Sequence, residues 1–284
     1  MSITAPTMGA AQRPPRAPRR PWGTYVLYAI TGLGFVYLFV PLVSIAVFTF
    51  NEPPAGSKYN TTWDSFTLDN WRHAFQASDY RDAFVESLKV AFIACSAATV
   101  LGALVALAIT RYKMRGGAAI QMLLVLPLTT PEIVLGASTF TLFFNQGADF
   151  GFWTIVLAHT MFCLSFVALT VKARIRGLDW SLEDAAADLG SPPLRTFALV
   201  TLPLIVPGIA AAFLLSISLS IDDYIITSFV AGQVSTFPRE IWDSYIREVV
   251  PQIQVFTTMI MIVVVSILLV STLVGKRRRA KLGL

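Results

Sequence analysis

Six long apolar runs constrain this chain more than any other feature. They cover residues 25–50, 88–109, 118–144, 152–171, 204–230 and 255–274. Each reaches the ~20 residues that a helix needs to cross a hydrocarbon core. In lipid every backbone N–H and C=O must be satisfied within its own segment, so runs of this length fold as helices. Charged residues make up 14% of the chain and mean hydropathy is +0.64, whereas soluble domains are roughly a quarter charged. The fold class predicted is an all-α polytopic membrane protein with six transmembrane helices.

Basic residues orient those helices. Arg13, Arg16, Arg19 and Arg20 precede the first run, and Arg111, Lys113 and Arg115 follow the second. Lys172, Arg174, Arg176 and Arg195 follow the fourth, and Lys276, Arg277, Arg278, Arg279 and Lys281 follow the sixth. The opposite side holds Lys58, Arg72, Arg81, Arg239 and Arg247, and Lys89 opens the second run. By the positive-inside rule both termini are cytoplasmic. Topology and anionic headgroups account for the pI of 9.4 without a nucleic-acid partner. Residues 1–24 read as a disordered basic cytoplasmic tail, 25–275 as one six-span domain, and 276–284 as a second basic cytoplasmic tail. The run from Tyr25 is too long for a cleaved signal peptide and reads as a retained first span.

Few other residues of the chain carry chemistry. Cys95 and Cys163 fall inside spans and read as small packing residues, with no metal-ligand spacing around them. His73 and His159 have no neighbouring nucleophile or ligand in sequence and read as structural. In the first outer loop, Leu68, Trp71, Ala74 and Phe75 recur at helical spacing and predict an amphipathic surface helix. Phe237-Pro-Arg-Glu-Ile-Trp242 predicts another in the second outer loop.

The third run carries Pro127, Pro131 and Glu132, and the fifth carries Pro203, Pro207, Asp222 and Asp223. Proline breaks the helical ladder, which is tolerated where a bundle or a cavity re-satisfies the freed groups. A carboxylate at bilayer depth costs about 2.5–3.5 kcal/mol on insertion scales, so it faces protein or water. Two readings stand here. Glu132, Asp222 and Asp223 line a path for a mobile cation, or they are solvated at the interface and bonded to freed backbone. Apart from Lys89 at a membrane edge, the spans offer no obvious basic partner, which favours the first.

Between the fourth and fifth runs lies a short, sharply bounded helix. Ser181 is placed to cap it, with Asp184 three positions on, as in a capping box. Glu183 and Asp184 lie in the first turn, where the helix dipole favours negative charge. Gly190 ends it, and Pro192 and Pro193 prevent continuation. Leu182, Ala185, Ala186 and Leu189 form one apolar stripe that packs on its own bundle or on a partner.

Asp184-Ala-Ala, three residues, Gly190, nine residues, then Val200-Thr-Leu-Pro203 resembles the EAA signature of binding-protein-dependent ABC importer permeases. The chain departs from it twice, with Asp184 for the family's Glu and Val200 for its Ile. The resemblance runs from Phe66-Thr-Leu-Asp-Asn-Trp71 to the sixth span. It implies that 181–190 is a coupling helix seated in a groove on a cytosolic ATPase, through Leu182, Glu183, Asp184, Ala185, Ala186, Leu189 and Gly190. Pro131-Glu-Ile-Val-Leu-Gly136 and the segment from Ser220 to Gly232 are similar to the second permease subunit of the spermidine/putrescine branch. That likeness implies a cationic, polyamine-type solute and a path along Glu132, Asp222, Asp223 and Tyr224. The implied partners are an ABC ATPase dimer, a second homologous permease, an extracytoplasmic solute-binding protein and the bilayer of a prokaryotic inner membrane. No Gly-x-x-x-x-Gly-Lys-[Ser/Thr] loop and no catalytic constellation occurs, so the chain reads as a non-enzymatic subunit without a cofactor, ATP being used by its partners. The competing readings are an ABC permease for another small organic solute and an ion-coupled secondary carrier.

Overall fold

The structure, a computed structural model, describes residues 21–54, 57, 59–74, 78–112, 116–247 and 251–281. The expectations for the tail through Arg20, and those resting on Lys58, Phe75, Lys113 and Arg115, lie outside the described residues. The chain runs α1 (Pro21–Phe48), β1 (Asn51–Glu52), β2 (Ser65–Phe66), α2 (Asp69–Arg72), α3 (Ser78–Arg111), α4 (Gly117–Thr129) and α5 (Glu132–Asn145). It continues with α6 (Phe152–Arg176), α7 (Ser181–Asp188), α8 (Pro193–Thr196), a π-helical turn (Phe197–Thr201), α9 (Leu202–Asp222), α10 (Ile225–Val230), α11 (Phe237–Arg247) and α12 (Pro251–Lys281).

Among the described residues, four helical stretches are long and apolar enough to cross a membrane: Trp22–Phe48, Asp79–Arg111, Phe152–Arg176 and Pro193–Asp222. The third predicted span is not one continuous helix. It is the pair α4 and α5, bent by 111° at the intervening residues. The cause is local: Pro131 excludes α geometry from the residue before it, and Thr130 is extended, with ψ 133°. The fifth predicted span stops at Asp222 instead of continuing to 230, because Asp223 turns extended at ψ 116° before α10 begins. The sixth predicted span falls in α12, whose Pro251–Ser266 portion is a shorter apolar helix.

Helices α3, α6 and α9 form the packed centre. α3 offers it a face of Ala91, Ala94, Cys95, Ala98 and Ala106, and α6 answers with Ile155, Ala158, Cys163, Val167 and Val171, all buried. Small residues let backbones approach closely, which drives association where lipid is as apolar as leucine. At Gly102 a Cβ would lie 2.8 Å from Cγ1 of Val167. The two thiols are free and meet here, Sγ to Sγ 4.0 Å. α1 stands apart, touching α12 while most of its side chains are exposed.

The segment between α1 and α3 holds a one-turn helix, Asp69–Arg72, in place of the longer amphipathic helix predicted, and a small antiparallel pairing of β1 with β2. Polar ties explain the difference. The Asn70 amide donates to the carbonyls of Thr49 and Asn51, and Asn60 donates to Gln254 of α12 at 2.6 Å. The segment is therefore tied by side chains to the end of α1 and to α12, not by a helical ladder.

Candidate functional site

A cavity of about 640 Å³ opens where the helices break. Glu132, Asp222, Asp223 and Tyr224, the residues predicted for a path, all line it. Glu132 is the first residue of α5, directly after the Pro131 break. Four residues later, Gly136 lets α5 close onto α10, since a Cβ there would lie 2.5 Å from the Phe229 ring. That approach brings the start of α5 beside the α9–α10 break. The remaining wall is apolar and aromatic: Phe162, Leu219, Ile225, and Pro238, Ile241, Trp242 and Tyr245 from α11. Trp242 packs on Tyr224 with ring centres 5.2 Å apart. Among the lining residues there is no lysine, arginine or histidine.

The adjacent acids have different fates. Asp222 is exposed to the cavity, whereas Asp223 is buried. One Asp223 oxygen accepts the Thr227 N–H and hydroxyl, both at 2.9 Å, and the other accepts the Ile226 N–H at 3.3 Å. The carboxylate thus satisfies free donors at the start of α10. His159 of α6 approaches the same oxygen at 3.2 Å and is itself bonded to Ser220 and Thr227 at 2.7 and 2.9 Å. The expected lack of a basic partner within the spans is corrected at this point, because His159 faces Asp223. A second basic side chain, Lys172, is also buried and donates to Gln121 at 2.7 Å. Neither pairing shows in local sequence, since the partners lie on different helices.

The second cluster is at α7. Ser181 does not cap it: Trp180 holds the cap position, with no side-chain cap bond. Asp179 does the work from one residue further back, accepting the Ser181 N–H at 3.0 Å. That bond holds the Asp179 carboxyl below the ordinary carboxylate range. The C-terminal end follows the prediction. Gly190 adopts φ +77°, its N–H bonds to Ala187, and the Ser191 N–H reaches the Ala186 carbonyl, the paired bonds of a Schellman ending. Leu182, Ala185 and Leu189 are exposed and Ala186 is half-buried, so the stripe does not pack on the chain's own bundle. Glu183 points inward to Arg111, whereas Asp184 stays exposed.

The profile of the family described as binding-protein-dependent transport system inner membrane component matches residues 98–279. The chain belongs to that family. Within this permease family it is 34% identical to the putrescine transport system permease protein PotI of Escherichia coli K12, over 86% of each chain. It is 30% identical to the spermidine/putrescine transport system permease protein PotC of Haemophilus influenzae, over 86% of this chain and 93% of that one. Its fold is also similar to a chain in the crystal structure of a bacterial ABC transporter involved in the import of the acidic polysaccharide alginate. The TM-score is 0.64 at 12% identity, covering 90% of this chain and 96% of that one. The permease is accordingly an inner-membrane component, and its helical fold is that of ABC transporter membrane subunits. Three contributors to the two clusters escaped the sequence reading: His159, the aromatic face of α11, and the inward turn of Glu183. The spacing of Ile241 and Tyr245, i and i+4, was the signal available for α11.

Proposed function

We propose that this permease carries a linear polyamine of the putrescine or spermidine type into the cytoplasm as one membrane subunit of an ATP-driven importer. The observation that supports it best is the cavity wall, in which carboxylates alternate with aromatic and aliphatic surface and no fixed cation intrudes. A polyamine presents the complementary pattern, ammonium groups separated by methylene chains. Carboxylates attract the former, aromatic faces attract them by cation–π contact, and apolar wall receives the latter. The names of the relatives PotI and PotC agree with this reading. Glu132 and Asp222 face the solute, Tyr224 and Trp242 flank it, and Asp223 acts from behind by holding the break.

In this reading six spans place both termini in the cytoplasm, with α4 and α5 together forming the third. ATP is bound and hydrolysed by a separate ATPase dimer, which docks on α7 through Leu182, Asp184, Ala185, Ala186 and Leu189, with Gly190 closing the helix. A second permease completes the path, and an extracytoplasmic binding protein delivers the solute. The chain itself performs no catalysis and needs no cofactor.

The test is uptake of labelled putrescine by cells carrying Glu132→Gln with Asp222→Asn. We expect KM to rise about tenfold or more at unchanged membrane abundance, each lost charge contact being worth roughly 1 kcal/mol or more. Unchanged kinetics would place both acids at the interface and remove them from the path.

A further inference from the structure

We infer that Glu183 is a positioning residue whose carboxylate clasps α7 to the ends of α3 and the π-helical turn, so that force on α7 reaches α3, α6 and α9 together. The inference rests on the functional reading above, in which α7 receives the ATPase's movement.

No residue of α7 is buried. Apolar packing reaches it only through Leu178 and Trp180 just before it, so the body of the helix depends on polar ties. Glu183 is the side chain that turns inward, 11% exposed against 42% for its partner Arg111. Arg111, the last residue of α3, donates to Glu183 Oε1 at 2.7 Å. The Thr201 hydroxyl, at the end of the π-helical turn, donates to the same oxygen. Arg111 also lies over the Trp180 ring, 5.6 Å from its centre, so the guanidinium is held by the cap residue of α7 and by Glu183 in its first turn. A second tie closes the base of the hairpin. Arg174, in the last turn of α6, donates to the Leu204 carbonyl at 3.2 and 3.1 Å. Its stem lies over Gly208, where a Cβ would come within 2.5 Å of Arg174 Cγ.

The segment from α6 to α9 is thus fastened at its base by Arg174 and at its tip by Glu183. Between the clasp and α8 remains a cavity of about 160 Å³, lined among others by Arg111, Ala187, Thr196 and Phe197. Helix α7 does not lie flush on α8, so the clasp bridges a gap that close packing leaves open. Glutamate's reach serves here, because one side chain meets a cation on one helix and a hydroxyl on another. Asp184, next to it, is exposed and lines that same cavity without joining the clasp.

The experiment uses the full chain assembled with its ATPase, second permease and binding protein in proteoliposomes, with labelled putrescine as probe. Glu183→Gln and Arg111→Gln are each expected to retain the ATPase on purification while putrescine moved per ATP hydrolysed falls about tenfold, within the range of coupling changes made by single residues. The exchanged pair Arg111→Glu with Glu183→Arg recovers much of that ratio, which a role in general folding would not do. Hydrogen exchange of the purified chain supplies a readout independent of solute and ATPase. The 181–190 amides exchange faster in each single variant and slow again in the exchanged pair, with the α3–α6 centre unchanged. Unaltered exchange would remove the clasp, and altered exchange with a wild-type transport ratio would make it structural only. Loss of the ATPase from Glu183→Gln would assign the acid to the docking surface and overturn the inference. A wild-type assembly that binds no ATPase would sink the functional reading itself, a result visible before any variant is compared.

Discussion

Two adjacent aspartates show how one backbone step separates roles. After Asp222 the chain leaves the helix, and the extended geometry at Asp223 directs the next carboxylate inward to His159, Thr227 and the first N–H groups of α10. Asp222 stays exposed and lines the cavity. Removing one partner from a buried hydrogen-bonded network leaves the other unsatisfied and costs about 1–3 kcal/mol, whereas an exposed acid away from such ties changes stability by about 0.5 kcal/mol or less. Asp223→Asn and His159→Leu are therefore expected to lower the unfolding temperature of the purified permease by several degrees, and Asp222→Asn to leave it unchanged. Thermal unfolding followed by tryptophan fluorescence reads the difference. An Asp223→Asn protein as stable as wild type would show that the imidazole and the helix start hold without the carboxylate. This division was not legible in sequence, where Asp222 and Asp223 are equivalent. Which one turns inward depends on a histidine on another helix.

At the scale of elements, glycines decide how near the broken helices come. Gly136 closes α5 onto Phe229 of α10, and a side chain there must shift a ring 2.5 Å away. Overpacking of this kind costs about 1–3 kcal/mol. Gly136→Val is expected to move the start of α5, raising the KM for putrescine through Glu132 without touching that residue. Gly34→Val in α1, where a Cβ meets nothing within 4 Å, is the control and should transport normally. Equal uptake by both variants would detach the α5–α10 contact from the site. The elements themselves were largely readable. Apolar runs of spanning length admit only helices, and the Gly190 ending and the proline breaks are local chemistry. The 111° angle between α4 and α5 was not readable, because Pro131 licenses a break while packing on α10 decides its direction. The start of α7 was misread for a similar reason: Ser181 and Asp179 are both good caps, and the choice follows from how the chain leaves α6. The aromatic face of α11 was hidden because its partner, Tyr224, lies beyond a loop.

For the whole molecule, the arrangement separates two tasks by position. The acid-lined cavity lies at the helix breaks, and α7 presents Leu182 and Leu189 to the outside of the chain, connected to the breaks through α9. Exposed apolar side chains at the end of a short polar helix are unfavourable unless covered, and in the proposed function the ATPase covers them and its motion displaces α9. An ion-coupled carrier has no use for such a surface; it would instead draw on intramembrane acids as proton relays, and Asp223 with His159 is the pair best placed to serve. The two energy sources make opposite predictions. In cells expressing the complete importer, an uncoupler added with ATP held constant is expected to leave putrescine uptake within about twofold of its initial rate. Depleting ATP while maintaining the membrane potential should abolish it. A carrier using the Asp223–His159 pair would respond in the reverse order, and that outcome would assign α7 a purely structural place between α6 and α9.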